Sequence, residues 1–173
     1  MQLRRLNTDD FLAIQSLYHQ LIDMMEGSPY IPGWEKGVYP SDKLLLGALN
    51  KEELYAVEVE GIYVAALIIN HEYNEGYKEV VWDIDAKDEE ITVIHALAVL
   101  PTYHGKGLAT FLVQEVIRLA KATHQKVVRM DVLASNLPAQ RLYTKLGFKL
   151  IDTTHMFYEG IGWTDYLMYE YAL

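Results

Sequence analysis

Residues 91–112, with the sequence ITVIHALAVLPTYHGKGLATFL, decide the fold of this chain of 173 amino acids. The nearly continuous apolar run from Ile91 to Val99 predicts a buried central strand. Gly105 and Gly107 predict a turn, and the spacing of the apolar residues from Leu108 onward predicts a helix. A glycine-bearing turn that leads into a helix presents unpaired backbone N–H groups at the positive end of the helix dipole. This arrangement favours an anion such as a pyrophosphate.

The residues after this segment predict a strand, a short helix and two closing strands. The mostly apolar KVVRMDV (126–132) predicts the strand that follows the first helix. A helix is expected over 138–146, because proline suits its first turn and Gly147 suits its C-cap. The closing strands are predicted near 149–155 and 165–171.

The residues before 91 complete a mixed sheet with helices. Hydrophobic periodicity and caps predict a strand at 2–6, a helix from caps at 7–9 to about 25, and a loop at 27–40. A second helix is predicted at 42–49 after Ser41. Two strands within 54–70, joined at Glu60-Gly61, and a short strand with a turn within 71–90 follow. The fold class is therefore α/β or α+β, with a mixed central sheet of six or seven strands and about four helices. We expect a single domain over residues 1–173.

Charge and composition exclude several classes of protein. The chain has 15 Lys and Arg residues against 24 Asp and Glu residues, so its formal net charge is −9. This charge gives no means of holding a polyphosphate backbone, and we expect no nucleic-acid partner. The hydrophobic fraction of 51% and the charged fraction of 23% indicate a packed core and not a disordered chain.

The absence of cysteine and of long apolar runs bears on metals and location. Without cysteine the chain has no disulfide, no thiolate zinc site and no thiol nucleophile, which fits a reducing compartment. We predict no metal. No apolar run approaches the roughly 20 residues that span a bilayer, and the first residues lack the apolar core of a signal peptide. We expect a cytoplasmic protein with no membrane partner.

Three kinds of phosphate-binding loop compete for the glycine-bearing turn. The P-loop pattern fails because Gly107 stands where Ser or Thr is required and Leu100 where the first glycine should fall. The dinucleotide fingerprint fits better, since Gly105, Gly107 and Thr110 occupy its three positions and Asp131 lies at a suitable distance for a ribose contact. Against it, the third glycine is missing and too few residues follow Asp131 for a second nucleotide-binding half.

The third interpretation accounts for more residues. Residues 104–109 follow the pattern [Q/R]-x-x-G-x-[G/A] at Gly107 and Ala109 and depart from it at His104. A second signature follows at a suitable separation, formed by Asn136, Ala139, Tyr143 and Leu146-Gly147-Phe148. With these two motifs the chain resembles the GNAT superfamily of N-acetyltransferases, most strongly over residues 91–150. The resemblance implies the acyl-CoA N-acyltransferase fold and acetyl-CoA as the acyl donor.

The resemblance also implies a set of cofactor-binding residues. Strand residues would offer backbone groups to the pantetheine arm, loop amides would bind the pyrophosphate, and two residues near the last helix would contact the arm and lie near its sulfur. These residues are Leu97, Ala98, Val99, Gly105, Lys106, Gly107, Leu108, Ala109, Thr110, Asn136 and Tyr143. Two alternatives stay open, because Asn136 also suits a helix cap before Pro138 and Tyr143 also suits the core.

Direct acetyl transfer to an amine needs a base for the ammonium proton and an acid for the departing thiolate. The motif position favours Tyr143 as the acid. His95 is the leading base, since imidazole titrates near neutral pH and strand alternation places its side chain on the face of Leu97. The run 95–99 also looks like the arylalkylamine branch of the superfamily, with Val93 where that branch has a second histidine.

Alternatives to these assignments also stay open. His95 also suits a hydrogen-bonded structural role, and Glu90 and Asp131 are alternative bases. His104 is interpreted as a structural residue of the loop or as a neighbour of the phosphate.

The acceptor is less clearly encoded. Tyr30, Trp34 and Tyr39 are candidate substrate residues, because aromatic faces in the long loop suit a cation or an aryl group, although they also suit loop anchors. The later aromatic residues are expected to line the same cleft or a dimer surface: Tyr158, Trp163, Tyr166 and Tyr169.

The sequence thus predicts acetyl transfer from acetyl-CoA to a primary amine of a small molecule or peptide. A non-catalytic acyl-CoA-binding domain is the alternative, and a dinucleotide-dependent oxidoreductase is a more distant one. A homodimer stays open.

Overall fold

The computed structural model describes residues 1–30 and 33–173, which form a seven-stranded mixed sheet with helices on both faces. The strands are β1 (Arg4–Arg5), β2 (Leu54–Val59), β3 (Ile62–Asn70), β4 (Ile91–Val99), β5 (Val127–Leu133), β6 (Lys149–Tyr158) and β7 (Gly162–Ala172). The helices are α1 (Phe11–Met25), α2 (Asp42–Asn50), α3 (Leu108–Ala122) and α4 (Leu137–Lys145). The predicted fold class is confirmed. Ile31 and Pro32, within the predicted loop 27–40, lie outside the described residues.

The sheet order is β1-β2-β3-β4-β5-β7-β6, and β4 and β5 are the parallel pair. Helices α3 and α4 cover one face, where Leu112 and Val116 pack on Val128 and Met130. On the other face, α1 and α2 cover β2, β3 and the end of β4. The segment 71–90 covers β5 and β7 on that second face.

Two local signals that the sequence provides act as predicted. The Ser41 hydroxyl caps α2 by accepting a hydrogen bond from the backbone N–H of Leu44 at 3.2 Å. Gly147 follows α4 with φ of 92°, a backbone conformation that side chains disfavour. Such caps depend on neighbouring residues only, and this is why the ends of these helices can be located from the sequence.

The short strand predicted within 71–90 is wrong. This segment, all of which the structure describes, contains 3₁₀ turns at Glu75–Glu79 and Asp88–Glu90 and no strand. Its apolar side chains turn onto the face of the sheet, where Tyr77 and Val80 are buried. The indole N–H of Trp82 donates to the Tyr77 carbonyl at 2.9 Å. This hydrogen bond gives the carbonyl a partner although the segment pairs with no strand.

A buried ion pair fastens this segment to the sheet. Arg129 on β5 donates from Nε to Glu170 on β7 at 2.8 Å, with side-chain exposures of 6% and 2%. The guanidinium also donates to the Ile84 carbonyl at 2.6 Å, and its carbon lies 4.2 Å from the centre of the Trp82 ring. The ion pair therefore holds the covering segment at the point where β4 and β5 stop pairing.

Strands β4 and β5 pair over only three residues and then diverge. Ile91, Thr92 and Val93 pair with Val127, Val128 and Arg129. Beyond Val93 and Arg129 no further pair joins the two strands, so their facing edges have no ladder partner. An opening through the sheet follows from this divergence.

A β-bulge in β4 lies beside the opening. Ile68 of β3 pairs with His95 of β4, and Ala66 pairs with Ala98. Two steps along β3 therefore lie opposite three steps along β4, so β4 contains one extra residue. Ala96 takes φ of 49°, an uncommon conformation for a residue with a side chain. The buried Tyr18 hydroxyl of α1 donates to the Ala96 carbonyl at 2.7 Å. Helix α1 therefore fixes the bulge.

The bulge corrects one expectation about the site. Strand alternation predicted that His95 and Leu97 share a face, and this is wrong. Ile94 and Leu97 both pack into the cluster under α3, while His95 lies on the opposite face. The extra residue in β4 resets the alternation between His95 and Leu97.

Replacing Tyr18 with Phe should destabilise the fold. The substitution leaves the buried Ala96 carbonyl without its donor, which costs about 1–3 kcal/mol of unfolding free energy. Tyr55→Phe is the matched control, because its hydroxyl bonds the exposed Arg5 side chain at 3.0 Å on the sheet edge. Urea unfolding of both variants measures the difference. Equal stability of Tyr18→Phe and the wild type would mean that this hydrogen bond does not hold the bulge.

Candidate active site

The diverging strands open into a cleft of about 730 Å³. Its walls come from β4, β5, the start of α3, α4, the loop before α2 and the hairpin of β6 and β7. The structure brings to this cleft the leading catalytic candidates, the three loop aromatic residues and all of the predicted cofactor-binding residues except Lys106. A volume of this size suits a ligand with a long arm and a second small molecule.

The glycine-bearing turn forms an anion cradle at one end of the cleft. Gly105 and Gly107 have φ of 75° and 79°, and no other atom lies within 4 Å of the place where a Cβ would stand. No side chain caps α3, so the N–H groups of its first turn, from Leu108 to Thr110, have no partner from the cap residue. Lys106 lies outside the wall, its ammonium 4.4 Å from the centre of the Tyr103 ring. The open space and the free amides fit a pyrophosphate.

His104 stands at the first motif position and has a structural contact. Its Nε2–H donates to the Val99 carbonyl at 2.9 Å, at the end of β4. This bond ties the turn to the strand. His104 therefore orders the loop, although it departs from the motif.

Helix α4 supplies two of the predicted residues. Asn136 is the N-cap, since its Oδ1 accepts a hydrogen bond from the Ala139 N–H at 3.3 Å, and it also lines the cleft. Tyr143 has its ring in the core, with centres 5.7 Å from Phe148 and 6.0 Å from Tyr169. Burial raises the pKa of Tyr143, with Asp131 adding to the effect, so the phenol stays protonated across the working pH range. Asn136 is thus a helix cap and Tyr143 a core residue, and both also line the cleft, where their predicted contacts with the cofactor stay predictions.

Asn70 holds His95 in one tautomer. The Asn70 Oδ1 accepts a hydrogen bond from the Glu72 N–H at 3.0 Å, and its Nδ2 donates to Glu53 at 3.2 Å, so oxygen and nitrogen are distinguished. His95 Nε2 lies 2.8 Å from that oxygen and must therefore be the protonated nitrogen. The neutral ring then carries its lone pair on Nδ1. Burial lowers the pKa of His95, against the attraction of Asp131 and Glu72, which leaves the ring neutral near pH 7.

Asp131 lies across the opening from His95. Val93 and Arg129 form the last pair of β4 and β5, and His95 and Asp131 each follow two residues later. The hydroxyls of Tyr77 and Tyr158 donate to Oδ2 of Asp131 at 2.9 Å and 2.8 Å. Burial raises the pKa of the Asp131 carboxyl, while the two hydroxyls and His95 oppose this effect.

Comparison with known proteins gives the family. The model of the acetyltransferase (GNAT) family matches residues 15–148. This chain belongs to the GNAT family. The predicted class, an acyltransferase, is confirmed at the level of the family, and the match includes the anion cradle, His95 and Tyr143.

Individual relatives agree with this assignment. The histone acetyltransferase MCC1 of Arabidopsis thaliana is 24% identical over 158 residues, covering 90% of this chain and 62% of the relative. A relative from Methanocaldococcus jannaschii is 31% identical over 68 residues, and the chain covers 30% of its length. The chain therefore spans less than two thirds of these curated relatives.

A GNAT acetyltransferase from Streptococcus agalactiae has the same fold, with a TM-score of 0.82, 16% identity and coverage of 99% and 95% of the two chains. The structure of yncA from Salmonella typhimurium, solved with its cofactor acetyl-CoA, matches with a TM-score of 0.72 and 17% identity. The match covers 100% of this chain and 94% of that one.

Aromatic residues line the half of the cleft that is predicted to hold the acceptor, called the acceptor half below. Trp34 lies between Tyr18 and Tyr39, with ring centres 5.8 Å from each. Tyr39 meets Tyr158 edge-on at 6.4 Å, and Tyr158 meets Tyr166 at 5.0 Å. Tyr30 lines the same half and is 39% exposed. The predicted substrate residues therefore face one space.

Two of the later aromatic residues lie elsewhere. Trp163 is 67% exposed and stacks on His155 with centres 5.6 Å apart. Tyr169 is buried beside Tyr143. The alternative base Glu90 is also outside the cleft, because it pairs with Lys126 at 2.9 Å before the start of β4.

Sequence reasoning missed Asn70 and Tyr77 as neighbours of the candidate base and of Asp131. Neither is marked by a motif, since their positions depend on the register of β3 and on the path of 71–90. The acidic side chain of Asp131 in the apolar strand KVVRMDV was a usable signal.

Two further findings concern metals and membranes. Within residues 1–30 and 33–173, no three His, Asp or Glu side chains group as a metal site. No helix in this part of the chain has the length and apolarity needed to cross a bilayer.

Nitrogen NMR of the His95 ring tests the tautomer. We expect a proton on Nε2 and a lone pair on Nδ1 in the wild type near neutral pH, because Asn70 offers only an acceptor. Asn70→Ala should give a mixture of tautomers, and Asn74→Ala is the control, since Asn74 caps the turn at 75–79. A wild-type ring protonated on Nδ1 would contradict the assignment of Asn70.

Proposed function

We propose that this chain transfers an acetyl group directly from acetyl-CoA to a primary amine of a small molecule or peptide. The observation that carries the proposal is the continuity of one cleft, which joins the cradle at Gly107, the Tyr143 phenol and the His95 imidazole. Membership of the GNAT family supports it. So does the acetyl-CoA in the related structure from Salmonella typhimurium, which concerns that protein and bears on this one through the shared fold.

The chain offers distinct groups to each part of the donor. Backbone N–H groups from Gly107 to Thr110 bind the pyrophosphate. The edge of β4 that faces β5 is unpaired from Leu97 to Val99, and its backbone groups hold the pantetheine arm through hydrogen bonds. Asn136 contacts the arm with its Nδ2, because its Oδ1 already caps α4. Acetyl-CoA supplies an acetyl group activated as a thioester.

Two side chains move protons in the reaction. Nδ1 of His95 accepts a proton from the substrate ammonium group. This frees the lone pair of the amine nitrogen to form the new C–N bond. Tyr143 donates its hydroxyl proton to the sulfur as the C–S bond breaks, and the products are an amide and the free thiol of CoA. The nitrogen loses its second proton as the C–S bond breaks, water passes that proton to the Tyr143 phenolate, and solvent then removes the proton that His95 accepted. A backbone N–H of β4 near Leu97 stabilises the carbonyl oxygen as it gains charge.

A non-catalytic domain that binds acyl-CoA is the alternative function. Such a domain needs the cradle but neither a neutral imidazole with a free lone pair nor a protonated phenol in the same cleft. The geometry of His95 and Tyr143 therefore favours the enzyme. The cytoplasmic location, the single domain, the homodimer and the absence of nucleic-acid and membrane partners stay predictions.

Thermal-shift and thiol-release measurements test the proposal. Acetyl-CoA should raise the melting temperature and NAD should not, because only a ligand of the native state stabilises it. Gly107→Val should weaken acetyl-CoA binding at least about tenfold, or about 1.4 kcal/mol, by filling the cradle and straining its backbone. Gly61→Val is the matched control, since Gly61 has the same φ of 79° in the turn between β2 and β3. Acetyl-CoA binding without thiol release across a broad set of amines would favour the non-catalytic alternative.

Tyr143→Phe should lower kcat by about 10²-fold while acetyl-CoA binding is retained, because the ring stays and only the acid is lost. Tyr169→Phe is the control, as it makes the same change in the same aromatic cluster. The comparison needs conditions in which chemistry limits the rate. Native turnover of Tyr143→Phe would return this residue to a packing role.

His95→Gln should remove the acidic limb of the pH profile of kcat. Burial lowers the pKa of His95, so the wild-type limb should lie below the usual value of about 6.5. Turnover should fall as the pH drops through this pKa, since a protonated ring cannot accept a proton. His71→Gln is the control, because that ring bonds the Ile91 carbonyl outside the cleft. An unchanged limb in His95→Gln would assign deprotonation to another group.

A further inference from the structure

Asp131 is a carboxylate in the cleft that the proton transfers above do not use. Both hydroxyls that reach it, from Tyr77 and Tyr158, donate to the same oxygen, Oδ2. No side chain of residues 1–30 and 33–173 donates to Oδ1, and the residue lines the cleft. A carboxylate in an apolar wall is costly unless an opposite charge compensates it. Oδ1, which no side-chain donor of the described residues reaches, therefore marks a place for a cation.

The surroundings of Asp131 fit an organic ammonium group. Tyr39 and Tyr158 present aromatic rings beside it, and aromatic faces accept both the charge and the adjacent carbon. Across the opening lies His95, whose Nδ1 accepts no hydrogen bond from the residues that the structure describes. A primary ammonium carries N–H groups for the carboxylate and the imidazole at once. A metal ion would need more oxygen ligands than this one carboxylate provides.

The charges of the cleft also limit what the ammonium can be attached to. Among the described residues that line the cleft, Lys145 on α4 is the one lysine or arginine, and it lies with Asn136 and Tyr143 in the donor half. A carboxylate on the carbon next to the amine would enter the acceptor half without a counterion and close to Asp131. Such a substrate meets repulsion and an uncompensated desolvation cost.

We propose that Asp131 binds the acceptor as a protonated primary amine and selects amines that carry no carboxylate on the adjacent carbon. The inference rests on the proposed function for its role in catalysis, although the ammonium site itself does not need acetyl transfer. With the ammonium on Asp131, its proton passes to Nδ1 of His95, and the carboxylate then faces the imidazolium. The negative charge is paired before and after this transfer.

Four matched probes test the selection: 3-methylbutylamine, 3-methyl-1-butanol, leucine and leucinamide. The amine and the alcohol differ in charge at the same shape, and leucine adds a carboxylate that leucinamide masks. Protein NMR titrations, with and without CoA, give each dissociation constant. In the wild type, we expect the amine and leucinamide to bind at least about tenfold more tightly than the alcohol and leucine. Equal affinities for the amine and the alcohol would overturn the proposal without any variant.

Asp131→Asn keeps the shape of the side chain and removes its charge. This variant should lose the preference for the amine over the alcohol and should retain acetyl-CoA binding. Asp152→Asn on the exposed part of β6 controls for the loss of one negative charge from the chain. An unchanged preference in Asp131→Asn would also overturn the proposal.

The same measurements separate failure of this proposal from failure of the proposed function. Acetyl-CoA binding and thiol release, together with an unchanged preference of Asp131→Asn for the amine over the alcohol, would contradict the ammonium site alone. A preference for the charged amine that depends on Asp131, without release of CoA thiol in the presence of any amine, would support the ammonium site and contradict the proposed transferase activity.

Discussion

The divergence of β4 from β5 is the constraint on which the rest of the structure depends. The two strands pair for three residues, and the Ala96 bulge, held by the Tyr18 hydroxyl, lies where their separation begins. The separation exposes strand edges that a pantetheine arm can satisfy. It also opens a passage between the two faces of the sheet, with the anion cradle on the side of α3 and the aromatic half on the other. Donor and acceptor can therefore approach from opposite faces and meet beside His95.

Burial acts in opposite directions on the two ionisable groups at this point. It lowers the pKa of His95 and raises that of Asp131, so the apolar wall disfavours charge on both. An ammonium group that enters the cleft changes this balance, because it compensates the carboxylate and supplies the proton that the imidazole can accept. In the part of the chain that the structure describes, no side chain donates to Nδ1 of His95 or to Oδ1 of Asp131. The electrostatics thus suit a substrate that arrives charged and reacts neutral.

Local signals were enough to predict most of the fold and the glycine-bearing turn before α3. Periodicity, caps and the glycines at 105 and 107 each depend on a few neighbouring residues, and the structure places the corresponding elements close to the predicted bounds. Long-range contacts decided the rest. The bulge that separates the faces of His95 and Leu97 depends on the register with β3 and on Tyr18, far away in the chain. The short strand predicted within 71–90 is absent, because this segment packs onto β5 and β7 through long-range contacts that have no signature in the sequence.

A crystal structure of the chain with acetyl-CoA tests the central claim most directly. The account predicts the pyrophosphate on the backbone N–H groups from Gly107 to Thr110, the pantetheine arm between β4 and β5 beyond Val93, and the thioester sulfur beside the Tyr143 hydroxyl. The acetyl group should then face His95 across the opening. Acetyl-CoA bound along the aromatic half, or outside the opening between the strands, would contradict the account.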